Sequence, residues 1–527
     1  MTYPPGQGIL RDMAATERAI GRAQVPSSPP PPPPPAPPPG ASPAGGFRSA
    51  VFWSYALTAG RVGTATVVTF VLAKLLGPAE FGVLAMALLI LAVAETVLQQ
   101  GPISAIVQRD KLTDDHLDAA FVALLVAGTG LGLLMAGVGP LWALATGEPQ
   151  LTAVCLALAP LALVHAMMAV PDAVLRRALR FRAIALRTVV AAVLSGIVGI
   201  ALAVAGAGVW ALVAQQLVAG VTNLAVLWAV SGWRPRRRPR MDAIRDLWRF
   251  TAHSANAGVA LLLSRRADQF VIGIVFGPVA MGIYRLAGRL PEMFLEVTVR
   301  SLQQVALPAL SRLQHDREAF AARLASLQHL GAVAGLPALG ILAGTAQPLV
   351  SFLGPQWEGT ALPLQLLCLY GAANVYGVLL GPVLQATGHP GRLAAIAWIR
   401  GGIGLAVFVA VGAAATGRAA ADQAAAVALA AVAVQVVLNA IAIEITRRTV
   451  GRRHLRLITP TLPAVAAALL AAGVPLLLDE LLLGGAHPLV QLAVEVTAAG
   501  LVAGAALLAI DRQLRAMVSA RLRRRRR

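Results

Sequence analysis

Leu76-Gly77-Pro78-Ala79-Glu80-Phe81-Gly82-Val83 returns 200 residues later as Phe276-Gly277-Pro278-Val279-Ala280-Met281-Gly282-Ile283, with Gly-Pro and the second Gly in register. Each copy forms a turn between two long apolar segments. The same turn between the same kinds of segment predicts a chain built from two equivalent halves.

Working outward from these turns, about fourteen stretches of roughly 20 apolar residues can be marked, each long enough to cross a bilayer. They fall at 51–76, 82–104, 119–143, 151–171, 188–207, 209–230, 251–276, 282–305, 326–346, 361–386, 393–415, 423–445, 458–478 and 488–510. The predicted fold class is all-α: a polytopic membrane protein with two parallel six-helix lobes and two extra C-terminal helices. The lobes span 47–231 and 251–446, joined by a basic linker at 232–250. A further helix pair lies within 447–510 and a basic tail at 511–527. Residues 1–46 are polar and carry a nearly pure proline run from Pro29 to Pro39, which reads as a disordered polyproline II arm.

A mean hydropathy of +0.72, with 57% hydrophobic and 13% charged residues, excludes an ordinary soluble domain. If the first span runs outward, the inward connections hold 35 of the 44 Lys and Arg, and the outward loops hold only Arg418. The positive-inside rule therefore places both termini and both long basic loops in the cytoplasm. The net charge of +20 reads as loop anchors facing anionic membrane lipids, not as a nucleic-acid surface. Cys155 and Cys368 lie inside spans and read as small core residues.

Charges inside the spans are costly, about 2.5–3.5 kcal/mol each at the bilayer centre, and mark functional positions. The eighth span carries Arg285, Arg289, Glu292, Glu296 and Arg300 within about 80° of arc at 100° per residue, so the stripe faces protein or water. Arg289 with Glu292 and Glu296 with Arg300 stand at pairing distances. Arg285 has no acid at such spacing on its own helix, which favours it as a ligand for something else. The seventh span adds Arg265, Arg266, Asp268 and Gln269, with Arg265 and Asp268 on one face. Arg61 lies in the first span, Glu95 in the second, Arg400 in the eleventh and Glu495 in the last. Cations exceed acids in this interior, and guanidinium forks match phosphate or carboxylate oxygens. The candidate anion-binding set is Arg265, Arg266, Arg285, Arg289, Arg61 and Arg400. The candidate ion-coupling set is Asp268, Glu95, Glu292 and Glu296.

No Gly-x4-Gly-Lys-Ser/Thr loop is present, and His253, His315, His329, His389 and His454 are scattered without metal-ligand spacing. The acids Asp110, Asp114, Asp115 and Asp118 share one short inward loop and read as solvated or capping. No catalytic residue, metal or cofactor is predicted, and the chain reads as a non-enzyme.

Several stretches resemble the oligosaccharide flippase branch, including colanic-acid-type exporters, of the multidrug/oligosaccharidyl-lipid/polysaccharide exporter superfamily. They are Leu75 to Leu84, Ala105-Ile106-Val107-Gln108-Arg109, Leu175-Arg176-Arg177-Ala178-Leu179-Arg180-Phe181, Gly208-Val209-Trp210-Ala211-Leu212-Val213, Arg266-Ala267-Asp268-Gln269, Gly282-Ile283-Tyr284-Arg285-Leu286-Ala287 and Leu307-Pro308-Ala309-Leu310-Ser311. The likeness covers roughly residues 47–450. It implies a bacterial inner-membrane protein that moves an undecaprenyl-diphosphate-linked oligosaccharide outward for O-antigen, capsule or exopolysaccharide assembly. It also implies alternating access coupled to H+ or Na+, with a polysaccharide polymerase and assembly proteins as partners. Two rivals are a multidrug exporter of the same superfamily and a membrane-embedded polymerase or ligase. The first would want an acidic cavity; the second would want a long outward loop with Arg or His.

Overall fold

The computed structural model describes residues 63–108, 113–178, 180–235, 258–259, 261–388, 390–450, 459–480, 487–511 and 514–515. Among these the chain is almost wholly helical, with no strand. The proline-rich arm, Arg61, most of the basic linker and most of the basic tail lie outside the described residues.

The first helices are α1 (63–75), α2 (Pro78–Gln108), α3 (Asp114–Thr146), α4 (Gln150–Leu158), α5 (Pro160–Arg177), α6 (Phe181–Val204) and α7 (Val209–Ser231). A second series comprises α8 (261–275), α9 (Pro278–Ser311), α10 (Arg317–Gly344), α11 (Ala346–Leu353), α12 (Ala361–Gly377), α13 (Leu380–Ala386), α14 (Pro390–Ala415) and α15 (Ala420–Val450). The last two are α16 (Leu462–Leu478) and α17 (Pro488–Ile510). Eleven helices are long and apolar enough to cross a membrane. The expected first and seventh spans are described as unbroken helix only over 63–75 and 261–275. The expected eighth span is a helix of 34 residues, amply long to cross a bilayer, and it carries the charged stripe.

Both Gly-Pro turns are helix starts. Proline suits the first helical position because that N–H has no partner in any case. Gly77 N–H donates to the Glu80 carboxylate at 3.0 Å, the reach-back half of a capping box. Gly277 has φ 79°, a left-handed conformation that favours glycine.

Large apolar side chains remain bare around the outside, among them Leu144 (81% exposed), Leu501 and Val126. In water such a surface would aggregate; against hydrocarbon it costs nothing. Inside, α2 packs on α3, α4, α5 and α7, and α6 on α7. In the second series α9 packs on α10, α12, α13 and α15, while α16 and α17 dock on α10. The two series meet along α2 and α9.

The core has a directional form. Toward the Gly-Pro turns one continuous buried cluster runs through both series, from Leu72, Met86 and Leu212 to Met281, Trp357 and Val427. Toward the opposite end it divides. One cluster around Phe121 and Val170 belongs to the first series, and another around Leu310 and Phe320 belongs to the second. The two halves are joined at one end and packed separately at the other.

Candidate functional site

The joined end is sealed by backbone contacts. Gly82 of α2 lies so near the Pro278 carbonyl that a Cβ there would fall inside the oxygen, and Gly282 of α9 stands in the same relation to the Pro78 carbonyl. The two copies of the repeated turn thus pack on each other about a local two-fold. Around them Trp357, fully buried, donates its Nε1–H to the Ala73 carbonyl at 2.6 Å and meets the Phe81 ring edge-on. Gln356 donates to the Lys74 carbonyl at 3.2 Å, and the Lys74 ammonium lies 4.3 Å from the centre of the Phe352 ring. Trp142 stacks on Phe270, with ring centroids 6.2 Å apart.

Below this seal the charged side chains of α8, α9 and α14 gather. Tyr284 O–H donates to Asp268 Oδ2 at 2.5 Å, and Arg266 donates to Gln269 at 2.9 Å. Arg285 lies 3.7 Å from Glu292, two turns along the same helix. This corrects the expectation that no acid on its own helix could meet Arg285, and it takes Glu292 from the expected pairing with Arg289. Both side chains are long, and over two turns they lie nearly in line along the helix axis, which spacing rules of three and four residues do not capture. Arg289 makes no hydrogen bond or ion pair among the described residues; it packs beside Thr66, Thr69 and Phe70 of α1 and Met293 of its own helix. Thr66 in turn donates to the Met293 sulfur at 3.6 Å.

Arg400 completes the group. Its guanidinium donates to Tyr370 Oη at 3.1 Å and to Gln435 Oε1 at 2.7 Å. Gln435 donates to Asn439, which donates to the Ala373 carbonyl at 2.5 Å. The charges act on one another. Arg285 feels Glu292, Arg266, Arg289 and Asp268, and Tyr370 feels Arg400, Asp268, Arg265 and Glu292. Five predicted cations, Arg265, Arg266, Arg285, Arg289 and Arg400, therefore share one polar region with only two of the predicted acids, Asp268 and Glu292. Part of it is open, since the Arg285 and Glu292 side chains are 27% and 46% exposed. Such a region can hold an anion by several charge-assisted hydrogen bonds.

Other predicted residues are placed elsewhere. Glu95 is exposed midway along α2, in the field of His165 on α5. Glu296 lies one turn beyond Glu292, and its expected partner Arg300 has a side chain outside the described residues. Sequence reading passed over His165, whose Nδ1 is buried without a hydrogen-bond partner. It also passed over Tyr370, Gln435 and Asn439, and Tyr284 entered only within a family stretch. The four-residue spacing of Gln435 and Asn439 within an apolar span was the available signal.

Among known proteins, the chain is 27% identical over 321 residues to the succinoglycan biosynthesis transport protein ExoT of Rhizobium meliloti, covering 60% of this chain and 65% of that one, just under two thirds of its length. It is 25% identical over 354 residues to the lipopolysaccharide biosynthesis protein WzxC of Escherichia coli, covering 64% and 69%. The fold is similar to that of the lipid II flippase MurJ in an inward closed conformation, with TM-score 0.66 and 14% identity over 89% of this chain and 99% of that one. It is also similar to an inward-facing multidrug resistance transporter of the MATE family, with TM-score 0.56 and 14% identity over 76% and 94%. The family model described as polysaccharide biosynthesis protein matches residues 71–362, more than half of the chain, and this multi-pass bacterial membrane protein belongs to that family.

Proposed function

We propose that the protein translocates a lipid-linked oligosaccharide, with the diphosphate of an undecaprenyl carrier as the recognised headgroup, from the cytoplasmic to the outer leaflet of the bacterial inner membrane. The observation that carries this reading is the convergence of five arginines and two carboxylates on α8, α9 and α14. A surplus of guanidinium groups suits a diphosphate and opposes a cationic drug. Within the set, Arg289 is the best single ligand, because no described carboxylate occupies it; Arg285 would exchange Glu292 for the incoming anion. Arg265, Arg266 and Arg400 widen the cationic surface.

The directional core supports alternating access as the mechanism in this proposal. The halves part at the Gly-Pro seal while the opposite end closes, and the headgroup crosses between them. Asp268 and Glu95 are the acids proposed to bind the coupling H+ or Na+, since a charge change in the membrane interior biases a two-state equilibrium. The product would feed a polymerase and assembly proteins outside. The reading is tested in proteoliposomes loaded with a fluorescent polyprenyl-diphosphate oligosaccharide. Wild-type protein should expose the label to the opposite side, and Arg289→Ala should slow this at least tenfold at normal abundance. Equal rates for wild type, Arg289→Ala and empty liposomes would overturn it.

A further inference from the structure

The appended pair, α16 and α17, carries a polar group that the transport reading leaves unused. Glu495 of α17 is 1% exposed, and neither carboxylate oxygen has a hydrogen-bond partner. Gln491, one turn earlier, is the polar side chain that acts on it, and the Gln491 amide donates to Asp479 Oδ1 at 2.7 Å. Asp479 follows directly on α16, is only partly buried, and is the charged group whose field reaches Glu495.

Among the described residues, no cation on the helices packed on α17 acts on Glu495. Neither α16 nor α11 contains a titratable side chain. On α10 these are Arg317, Glu318, Arg323 and His329. His329 pairs at 3.0 Å with Asp511, sixteen residues beyond Glu495 and about 24 Å along the axis at 1.5 Å per residue. An ionised carboxylate with both oxygens unpartnered is not sustained in such surroundings; it neutralises instead. A metal cation would need several oxygen ligands, and no group of three His, Cys, Asp or Glu able to hold one occurs among the described residues. A proton needs one oxygen.

We propose that Glu495 is a proton-binding site on the appended helix pair, held as the neutral acid and connected to the Gly-Pro end of the molecule through Gln491 and Asp479. On release the O–H bond of the Glu495 carboxyl breaks, the electron pair stays on the carboxylate, and the proton passes to water near Asp479. Because α17 docks on α10 and α11, the charge left behind loosens that docking, so the pair responds to protons independently of any substrate.

The test uses the full-length protein in lipid at about pH 7. The infrared difference between wild type and Glu495→Gln should contain one protonated-carboxyl C=O band that disappears on titration to high pH. As a check that needs no variant, wild-type protein treated with dicyclohexylcarbodiimide should carry an adduct on the peptide containing Glu495. In that reaction the acid proton moves to the reagent nitrogen and the carboxylate oxygen bonds to its carbon, so only the neutral acid reacts. A water-soluble carbodiimide should not label it. The proposal is overturned if neither the band nor the adduct is present at about pH 7, or if only the water-soluble reagent labels the site. Neither readout depends on transport, so failure here is distinct from failure of the flippase reading.

Discussion

Gly82 lies with its backbone against the carbonyl of Pro278, where no side-chain carbon could stand, and Gly282 repeats the contact against Pro78. The repeated turn is therefore both an echo in the sequence and the place where its two copies meet. Replacing either glycine by alanine inserts a methyl into a backbone contact, and overpacking of this kind costs about 1–3 kcal/mol. Gly82→Ala and Gly282→Ala should each lower the unfolding temperature in detergent and increase the reactivity of cysteines placed beside the seal. Unchanged melting in both variants would show that the contact carries no weight.

Trp357 ties the second series to the first through a single indole hydrogen bond. Trp357→Phe keeps most of the ring and loses the bond to the Ala73 carbonyl, for about 0.5–1.5 kcal/mol. Trp357→Ala empties a fully buried site and costs about 3–5 kcal/mol. Thermal unfolding of the two variants should rank them in that order, and a larger loss for Phe than for Ala would contradict the geometry.

Arg285 and Glu292 form the pair that helix spacing rules pass over. If Arg285 serves only to neutralise Glu292, then Glu292→Gln should restore the activity lost in Arg285→Ala. The expected result is that the double variant stays impaired at normal abundance, and that Arg285→Lys restores only part, because lysine keeps the charge without the fork. Full recovery in the double variant would assign Arg285 a pairing role alone.

Asp268 and Glu95 stand on different halves, the first bonded to Tyr284 and the second in the field of His165. Asp268→Asn or Glu95→Gln should uncouple transport from an imposed H+ or Na+ gradient, measured as the ratio of translocation with and without the gradient. Wild-type ratios in both variants would remove them from the coupling site.

Orientation is tested by chemistry. Cys155 and Cys368 are buried, so a cysteine introduced at Arg236→Cys reports alone. An impermeant thiol reagent should reach it from the cytoplasmic side and not from the outside; the opposite result reverses the topology.

The helices themselves were legible because their cause is local. A run of apolar residues must satisfy its backbone within one helix to lie in hydrocarbon, whatever its neighbours. Pro78 and Pro278 mark helix starts for a reason confined to the turn. Arg265, Arg266, Arg285 and Arg289 drew notice as charges in a medium that penalises them, and they prove to be neighbours because α8 and α9 are consecutive. Arg400 was noticed for the same reason, but its approach through Tyr370 and Gln435 depends on the packing of α12, α14 and α15.

The sequence by itself determined the membrane class, the repeated turn, the cationic excess and the family resemblance, since each depends on composition and order along the chain. Only the tertiary structure decided that the two turns pack on each other, that Glu292 meets Arg285, that Glu95 lies in the field of His165 and that Glu495 is buried. Those relations join residues on different helices, or two turns apart on one, and they are fixed by how whole helices pack. No local pattern of residues encodes that packing.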